Sequence, residues 1–333
     1  MNDQQVCIAG DIGGTNARFA ICDPNTGFHS EKSFKCTDFG SLTEALKHYL
    51  AMTDTPSINQ LCLAVAGPIR DNGSYAVLTN NPWIMNTEKL ISDFSLYNAV
   101  LINDFTAIAY SLPHIDKLHL IALNNKTCHT SNLNDKDHFS LGVMGPGTGL
   151  GVSALYKNRG VPFALASEAG HLGFSPENEF QSAILSTLRR RFEQVTREHL
   201  LSGPGIENLY WALGQIEAKD TLPLSAEEIF NAHANKSNPL ATRSIELFFE
   251  LLGQTAGDLA LSLGTFDGVY IAGGICHRHA SLLKESNFVK SFENRGKHRG
   301  YMENVPTYVI THPNPGLLGA CHYLNSSIKT NRS

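Results

Sequence analysis

The sequence predicts an α/β protein built from two domains. Three observations carry this. At 333 residues the chain is longer than a single hydrophobic core usually serves, so two domains are expected. Roughly its first hundred residues alternate strand-like apolar runs with helical periodicity, as in a sheet with crossover helices. Two glycine-rich turns, far apart in the chain, are each flanked by strand-like runs on both sides.

The first turn is Gly10-Asp11-Ile12-Gly13-Gly14-Thr15-Asn16, between Val6–Ala9 and Ala17–Cys22. The second is Gly145-Pro146-Gly147-Thr148-Gly149-Leu150-Gly151, between Leu141–Met144 and Val152–Tyr156. Strand, glycine turn, strand is a hairpin. Glycine permits φ > 0 and lets backbone N–H groups approach an anion with no Cβ in the way. Thr15 and Thr148 add hydroxyl donors. One such hairpin would be an ordinary turn. The pair suggests one phosphate-binding device used twice, with two similar domains facing one polyphosphate. Neither loop ends in the Lys-Ser/Thr of a P-loop, and neither runs G-x-G-x-x-G into a helix. Asp11 would repel phosphate unless a cation sat between them, so the first loop implies Mg²⁺, held by Asp11 through water.

The remaining elements follow in order. Ser41–Leu50 carries a helical face at 42, 45, 46, 49 and 50, and Pro56 follows it. Leu61–Ala66 is apolar throughout, as in a strand buried on both faces, and ends at Gly67-Pro68. Val100–Ile102 is a second buried strand, ending at Asn103-Asp104, and Phe105–Leu112 reads as helix until Pro113. Ser175-Pro176 has the form of a helix start. Ser225-Ala226-Glu227-Glu228 has capping-box spacing. Pro239 to about Leu263 reads as the core helix of the second domain, and Gly268–Ile271 as a strand running into Ala272-Gly273-Gly274. Asn314–Leu324 closes the chain as a final helix that could return to the first domain.

Asp104 is the sharpest chemical candidate. It follows a buried strand and precedes a helix, where ligands bind in parallel α/β sheets. A carboxylate there can take a proton from a substrate hydroxyl. The plainer role is N-cap of the following helix, and position alone favours it. Asn103 could orient a hydroxyl or satisfy a turn. Glu168 and His171, three apart around Gly170, offer an acceptor and a donor to a polyol, though a solvated loop explains them locally. Glu198 taken singly is an unremarked helix carboxylate. Gly273-Gly274 would permit close approach of a flat ligand such as adenine. Asp104 is expected to be ionised at neutral pH, since the reference value is about 3.9 and only strong desolvation would raise it to near 7.

Composition excludes several classes. The formal net charge of −5 argues against a nucleic-acid partner, and Arg189-Arg190-Arg191 reads as the solvated face of a helix. With 42% apolar and 17% charged residues, the chain resembles an ordinary soluble globular protein. Cys7, Cys22, Cys36, Cys62, Cys128, Cys276 and Cys321 are scattered and never in C-x-x-C spacing. Cys7, Cys22, Cys62 and Cys276 fall in strand-like runs as small hydrophobes. This predicts free thiols in a reducing cytoplasm, without disulfides or structural zinc. The N-terminal residues lack a basic stretch before an apolar one, so no signal peptide is expected, and no apolar run is long enough for a membrane span.

Seven segments, taken in order, resemble the bacterial-type glucokinases of the hexokinase and actin-like ATPase superfamily. They are GDIGGTNAR (10–18), INDFTA (102–107), GTGLGV (147–152), EAGH (168–171), LSGPG (201–205), LGTFDGVYIAGGI (263–275) and NPGLLG (314–319). The resemblance implies a two-domain actin-like ATPase (ribonuclease H-like) sugar-kinase fold with an interdomain cleft. Residues 1–112 with about 312–333 would form the small domain, and 113–311 the large one. It implies ATP-dependent phosphorylation of glucose at its 6-hydroxyl, with Asp104 as the base. Asn103, Glu168, His171 and Glu198 would bind the sugar. Residues 10–16 and 147–149 would hold ATP phosphates, and Gly273 and Gly274 would flank the adenosine. It further implies a cytoplasmic homodimer. The family often reads Glu-Gly-Gly-His where this chain has Ala169, whose methyl could trim the pocket. The related repressor and open-reading-frame kinase group carries a cysteine-rich zinc loop, whereas this chain has no cysteine between Cys128 and Cys276. Nor is there room for that group's helix-turn-helix before Gly10. Alternatives are a kinase for another hexose or amino sugar, or a non-catalytic sugar sensor on the same scaffold.

Overall fold

Both glycine hairpins form, and each seeds a sheet. The computed structural model of the chain describes residues 6–78, 81, 83–126, 133, 135–218 and 221–330. Cys128 and the five N-terminal residues, on which two expectations rested, lie outside them.

The first part of the chain lays down β1 (Cys7–Ile12), β2 (Asn16–Asp23), β3 (Gly27–Lys35), α1 (Leu42–Met52), β4 (Gln60–Val65), β5 (Ile69–Arg70), β6 (Tyr75–Val77), β7 (Ile84–Asn86), α2 (Thr87–Phe94), β8 (Asn98–Asn103) and α3 (Asp104–Ser111). Then come β9 (Leu120–Ala122), β10 (Phe139–Pro146), β11 (Leu150–Asn158), β12 (Val161–Ser167), α4 (Glu179–Leu188), α5 (Gly203–Ile216), α6 (Ala226–Ala234) and α7 (Pro239–Leu263). The chain ends with β13 (Gly268–Ile271), α8 (Gly274–Arg278), α9 (Ala280–Glu285), α10 (Phe288–Glu293), α11 (Arg299–Met302), β14 (Thr307–Ile310) and α12 (Pro315–Thr330).

The two main sheets repeat one plan. The first has order β3-β2-β1-β4-β8, and the second β12-β11-β10-β13-β14-β9. In each, three antiparallel strands contain the glycine hairpin, and parallel strands continue from the hairpin's first strand. In the first sheet, the parallel register aligns Ile12 with Val65 and Val65 with Asn103. Asp11 and Asp104 therefore emerge at the same carboxyl edge. In the second, Met144 aligns with Ile271, so Gly145–Pro146 and Ala272–Gly273 share an edge. A short sheet, β5-β6-β7, flanks the first.

Burial explains the elements. Every residue of β4 is buried, as a strand covered on both faces requires. On one face Ile8, Ile12, Leu61 and Leu63 join Leu42, Leu46 and Tyr49 of α1. On the other, small residues (Ala9, Ala20, Cys62, Ala64) leave room for Leu317, Ala320 and Leu324 of α12. The final helix thus does return to the first sheet. It also packs tightly on α3, since a Cβ on Gly319 would overlap the Ala107 carbonyl. The second core surrounds α7, whose Ile245, Phe248, Phe249, Leu252 and Ala256 are at most 1% exposed. A helix buried on most sides must be apolar on most sides. Asn238 caps it and Gly264, at φ +64°, ends it.

Several local expectations change. Helix α4 starts at Glu179 rather than at Ser175-Pro176, because Asn178 provides the cap. The Ser175 carbonyl is instead bonded by Gln254 Nε2 at 2.8 Å. The arginine run begins where α4 ends. Arg189–Arg191 are exposed, with the Arg191 guanidinium 3.5 Å from the centroid of the Trp211 ring. Cys276 lies in α8, not in a strand. Cys22 and Cys321, 299 residues apart, form a disulfide between β2 and α12, against the expectation of none. Spacing along the chain could not show that these two positions meet. Cys7, Cys36, Cys62 and Cys276 are free and buried.

Candidate active site

The helix start after β8 assigns its two polar residues differently from the expectation. Asn103, not Asp104, is the N-cap of α3, its Oδ1 accepting from the N–H groups of Phe105 at 2.9 Å and Thr106 at 3.2 Å. Asp104 is the first helical residue, and its Oδ1 accepts from Phe105 N–H at 2.8 Å. The cap uses the oxygen of Asn103 and leaves its amide nitrogen as a donor. The carboxylate beside it is freed from the capping role.

Asp104 is also electrically loaded. Its carboxyl is pushed up to about 6, chiefly by burial, with the Asp11 and Glu168 carboxylates adding to the rise and the Phe105 N–H opposing it. The carboxyl therefore still ionises below neutral pH, as expected, although burial moves it well above the usual value. The shift also ties the first hairpin, the start of α3 and the 168–171 segment into one electrostatic neighbourhood. Burial pushes the Asp11 carboxyl up as well, against the opposing pull of Arg18. The Arg18 guanidinium lies 3.5 Å from Asp11, on the neighbouring strand of the hairpin.

The two hairpins divide their residues between packing and exposure. Gly10 is inside the sheet, where a Cβ would come within 2.5 Å of Leu63 and 3.2 Å of Phe19. Ile12 is fully buried. Gly13 and Gly14 are half-buried, Thr15 is exposed, and Asn16 begins β2. In the second hairpin Gly147 has open space around it, and Thr148 is exposed. Gly149 is confined, because a Cβ there would sit 2.5 Å from Glu198 Oε2. Gly273 has φ +88° and no space for a side chain against the Pro146 carbonyl, whereas Gly274 is open. Part of each glycine signal is therefore packing, and the open positions are the ones a ligand could approach.

A second cluster forms around Glu198, which lies in a turn rather than a helix. Its Oε2 accepts from Leu150 N–H at 2.8 Å, at the end of the second glycine loop. Its own N–H bonds the Gly170 carbonyl at 2.9 Å. Glu168 and His171 project from the 168–171 segment, 80% and 60% exposed, with 4.0 Å between Glu168 Oε2 and His171 Nε2. Ala169 packs against the second core, so its methyl is held by that core. The bridge to the first cluster is Phe105, whose ring occupies the space a Cβ on Gly151 would need.

Sequence reasoning missed three neighbours. Arg18 carries no signal of its own in the sequence, and its pairing with Asp11 follows from hairpin register. Gly316, at the start of α12, approaches so closely that a Cβ would be 3.4 Å from the Asp11 carboxyl carbon. His199 is influenced by both Glu198 and His171, with burial the larger effect lowering its pKa. Among the described residues no three His, Cys, Asp or Glu side chains converge as a metal cluster. No helix there is long and apolar enough to cross a membrane.

The site can be set beside known proteins. The family model described as Glucokinase matches residues 8–327. A glucokinase of Photorhabdus laumondii is 36% identical over 322 residues, 96% of this chain and 97% of that one. The crystal structure of a glucokinase from an Antarctic psychrotroph superposes with TM-score 0.88 at 33% identity, covering 96% of this chain and 99% of the other. A ROK-family glucokinase from Streptomyces griseus, solved with glucose and AMPPNP, shares the fold at TM-score 0.64 and 17% identity, over 96% of this chain and 98% of its own. The repeated sheet plan and these likenesses identify the architecture as the two-domain actin-like ATPase fold. With the family match running almost end to end, this chain belongs to the glucokinase family.

Proposed function

We propose that the protein transfers the γ-phosphoryl group of ATP to the 6-hydroxyl of D-glucose, giving glucose 6-phosphate. Membership of the glucokinase family supports the overall reaction, and the Streptomyces griseus complex pairs this fold with glucose and an ATP analogue. The observation that carries the residue assignment is geometric: Asp11 and Asp104 leave the same carboxyl edge of the first sheet, and the Phe105 ring beside Asp104 packs directly on Gly151 of the second hairpin.

In this reading Asp104 accepts the proton as the sugar oxygen attacks the γ-phosphorus and the bond from that phosphorus to the β–γ bridging oxygen breaks. With its carboxyl near 6, Asp104 is mostly ionised at pH 7 and remains a better base than an ordinary aspartate. Asn103 offers its amide, and Glu168, His171 and Glu198 hold the sugar hydroxyls. The exposed Thr15 and Thr148, at the open turns of the two hairpins, face the phosphates, while Gly10 and Ile12 shape the first hairpin from inside the sheet and the Gly13 and Gly147 N–H groups close their own turns. Gly274 leaves room for the adenosine beside Gly273. Phosphoryl transfer needs mainly positioning and charge stabilisation.

The donor chemistry fits a magnesium ion, because Asp11 is a desolvated carboxylate amid further negative groups, only partly offset by Arg18. Magnesium supplies charge neutralisation to the phosphates and keeps water in its shell. We assign residues 1–112 with about 312–333 to one moving unit and 113–311 to the other, closing over the sugar to exclude water. The packing of α12 on the first sheet supports the first grouping. The same reading gives a cytoplasmic homodimer, which a solution mass measurement tests.

The experiment for the reaction is an ADP-release assay with ATP and Mg²⁺ over a panel of hexoses and amino sugars. Glucose is expected to give the highest kcat/KM and glucose 6-phosphate as product. Turnover confined to another sugar, or absent with all, contradicts the proposal.

A further inference from the structure

The three residues assigned to the sugar in the second domain stand on two strips of backbone laid side by side. Arg197 N–H bonds the Leu172 carbonyl, Glu198 N–H that of Gly170, and Phe174 N–H that of Val195, each at 2.9 Å. Gly173 and Thr196 form a bridge between them. The backbone that carries Glu168 and His171 is therefore tied to that of Glu198 in one ladder. Neither strip belongs to either main sheet.

Both strips are fastened to the core helix α7 by polar side chains. Gln254 Nε2 donates to the Ser175 carbonyl at 2.8 Å, gripping the first strip. Asp258, one turn further along α7, takes Arg197 of the second strip at 3.5 Å. Its other oxygen accepts from Arg295 Nη1 at 2.7 Å, and that nitrogen also reaches Glu177 Oε1 at 2.5 Å. Glu177 continues the first strip, so the network closes on itself. The Arg197 and Arg295 side chains are only 12% and 6% exposed. Charges buried this deeply add little stability over well-packed apolar groups. What they add is direction: Arg295 fixes the Asp258 and Glu177 carboxylates by charge-assisted hydrogen bonds, and the Asp258 carboxylate so held draws Arg197 to it as an ion pair.

We propose that Arg197 and Asp258 are positioning residues for the acceptor sugar, setting the place of Glu198 and, through the ladder, of Glu168 and His171. This rests on the assignment of Glu198 as a sugar ligand. Arg197 touches no reacting group in this scheme. It acts by fixing the residue next to it, and small displacements of a binding group cost much of its benefit.

The test is a double-mutant cycle on the full chain, reading KM for glucose, KM for ATP and kcat. Arg197→Met is expected to raise KM for glucose by about tenfold or more, with KM for ATP changed less than about twofold. In a Glu198→Gln background the same change is expected to add little, because the residue it positions has already lost its function. Asp258→Asn should repeat the pattern, and Asp258→Glu should recover part of the loss. If Arg197→Met fails to fold, Arg197→Lys carries the same prediction at smaller size. If Glu198→Gln leaves KM for glucose unchanged, the sugar-ligand assignment itself fails. If Glu198→Gln raises it but the two losses multiply, or both substrates lose affinity equally, Arg197 and Asp258 are merely structural and the inference is overturned.

Discussion

Replacing Asp104 by asparagine should make the protein more stable while disabling it. Burial, the largest cause, raises the Asp104 carboxyl from 3.8 to about 6. A raised carboxylate means that ionisation opposes folding, at about 1.4 kcal/mol per pH unit. The cost is absent below about pH 4, where the group is protonated in both states, grows between about 4 and 6, and is complete above. At neutral pH it amounts to about 3 kcal/mol before discount. The carboxyl is partly solvated, which lessens the cost. Asparagine removes this cost, any favourable charge at the helix N-terminus being already contained in the net value of about 6. It keeps an acceptor for the Phe105 N–H that Asp104 now binds. The net expectation is a gain of about 1–2 kcal/mol at pH 7.5, falling to about a third of that at pH 4.5. Urea denaturation of the ligand-free protein at both pH values measures it. Equal midpoints at pH 7.5, or a gap that does not narrow on acidification, would refute the reasoning.

The same carboxyl sets the pH dependence of catalysis: kcat/KM for glucose should fall about tenfold between pH 7 and pH 5, whereas a base of ordinary acidity would lose almost nothing, and a pH–rate profile separates the two. Gly273→Ala should destabilise the fold by about 1–3 kcal/mol, because φ +88° and the Pro146 carbonyl leave no place for a methyl. Gly274→Ala, in open space, should fold normally and raise KM for ATP, as thermal unfolding with steady-state kinetics would show. Ser225→Ala removes the capping box of α6 and should cost about 0.5–2 kcal/mol with both KM values unchanged, a control for stability loss remote from the site.

Local signals were legible where one stretch of chain determined them. The hairpins, the α7 span, the capping box and the buried strand β4 follow from periodicity and turn residues within a few positions. The repeated sheet plan was foreshadowed by the two glycine turns, although strand order needs long-range pairing that periodicity does not encode. Asp104 stands out by position, but position suits it equally as the helix cap, a role that Asn103 in fact takes. Asn103 is the stronger cap because its oxygen reaches two N–H groups, which adjacent identities alone do not show. The raised Asp104 carboxyl depends on burial and on residues 93 positions before it and 64 after it, Asp11 and Glu168. The Cys22–Cys321 bond and the Arg197–Asp258–Arg295 network are likewise products of tertiary proximity. Glu198 taken alone carried no signal, and its importance emerges from the Leu150 amide and the Gly170 carbonyl that it joins.

The central claim is that Asp104 takes the proton from the sugar hydroxyl at a cleft edge shared with Asp11. Its most direct test is kcat of Asp104→Asn at saturating glucose and MgATP, with KM for ATP measured alongside. The account predicts a fall in kcat on the order of 10²–10⁴ with ATP affinity largely kept. A variant that folds and retains half the wild-type kcat would contradict it.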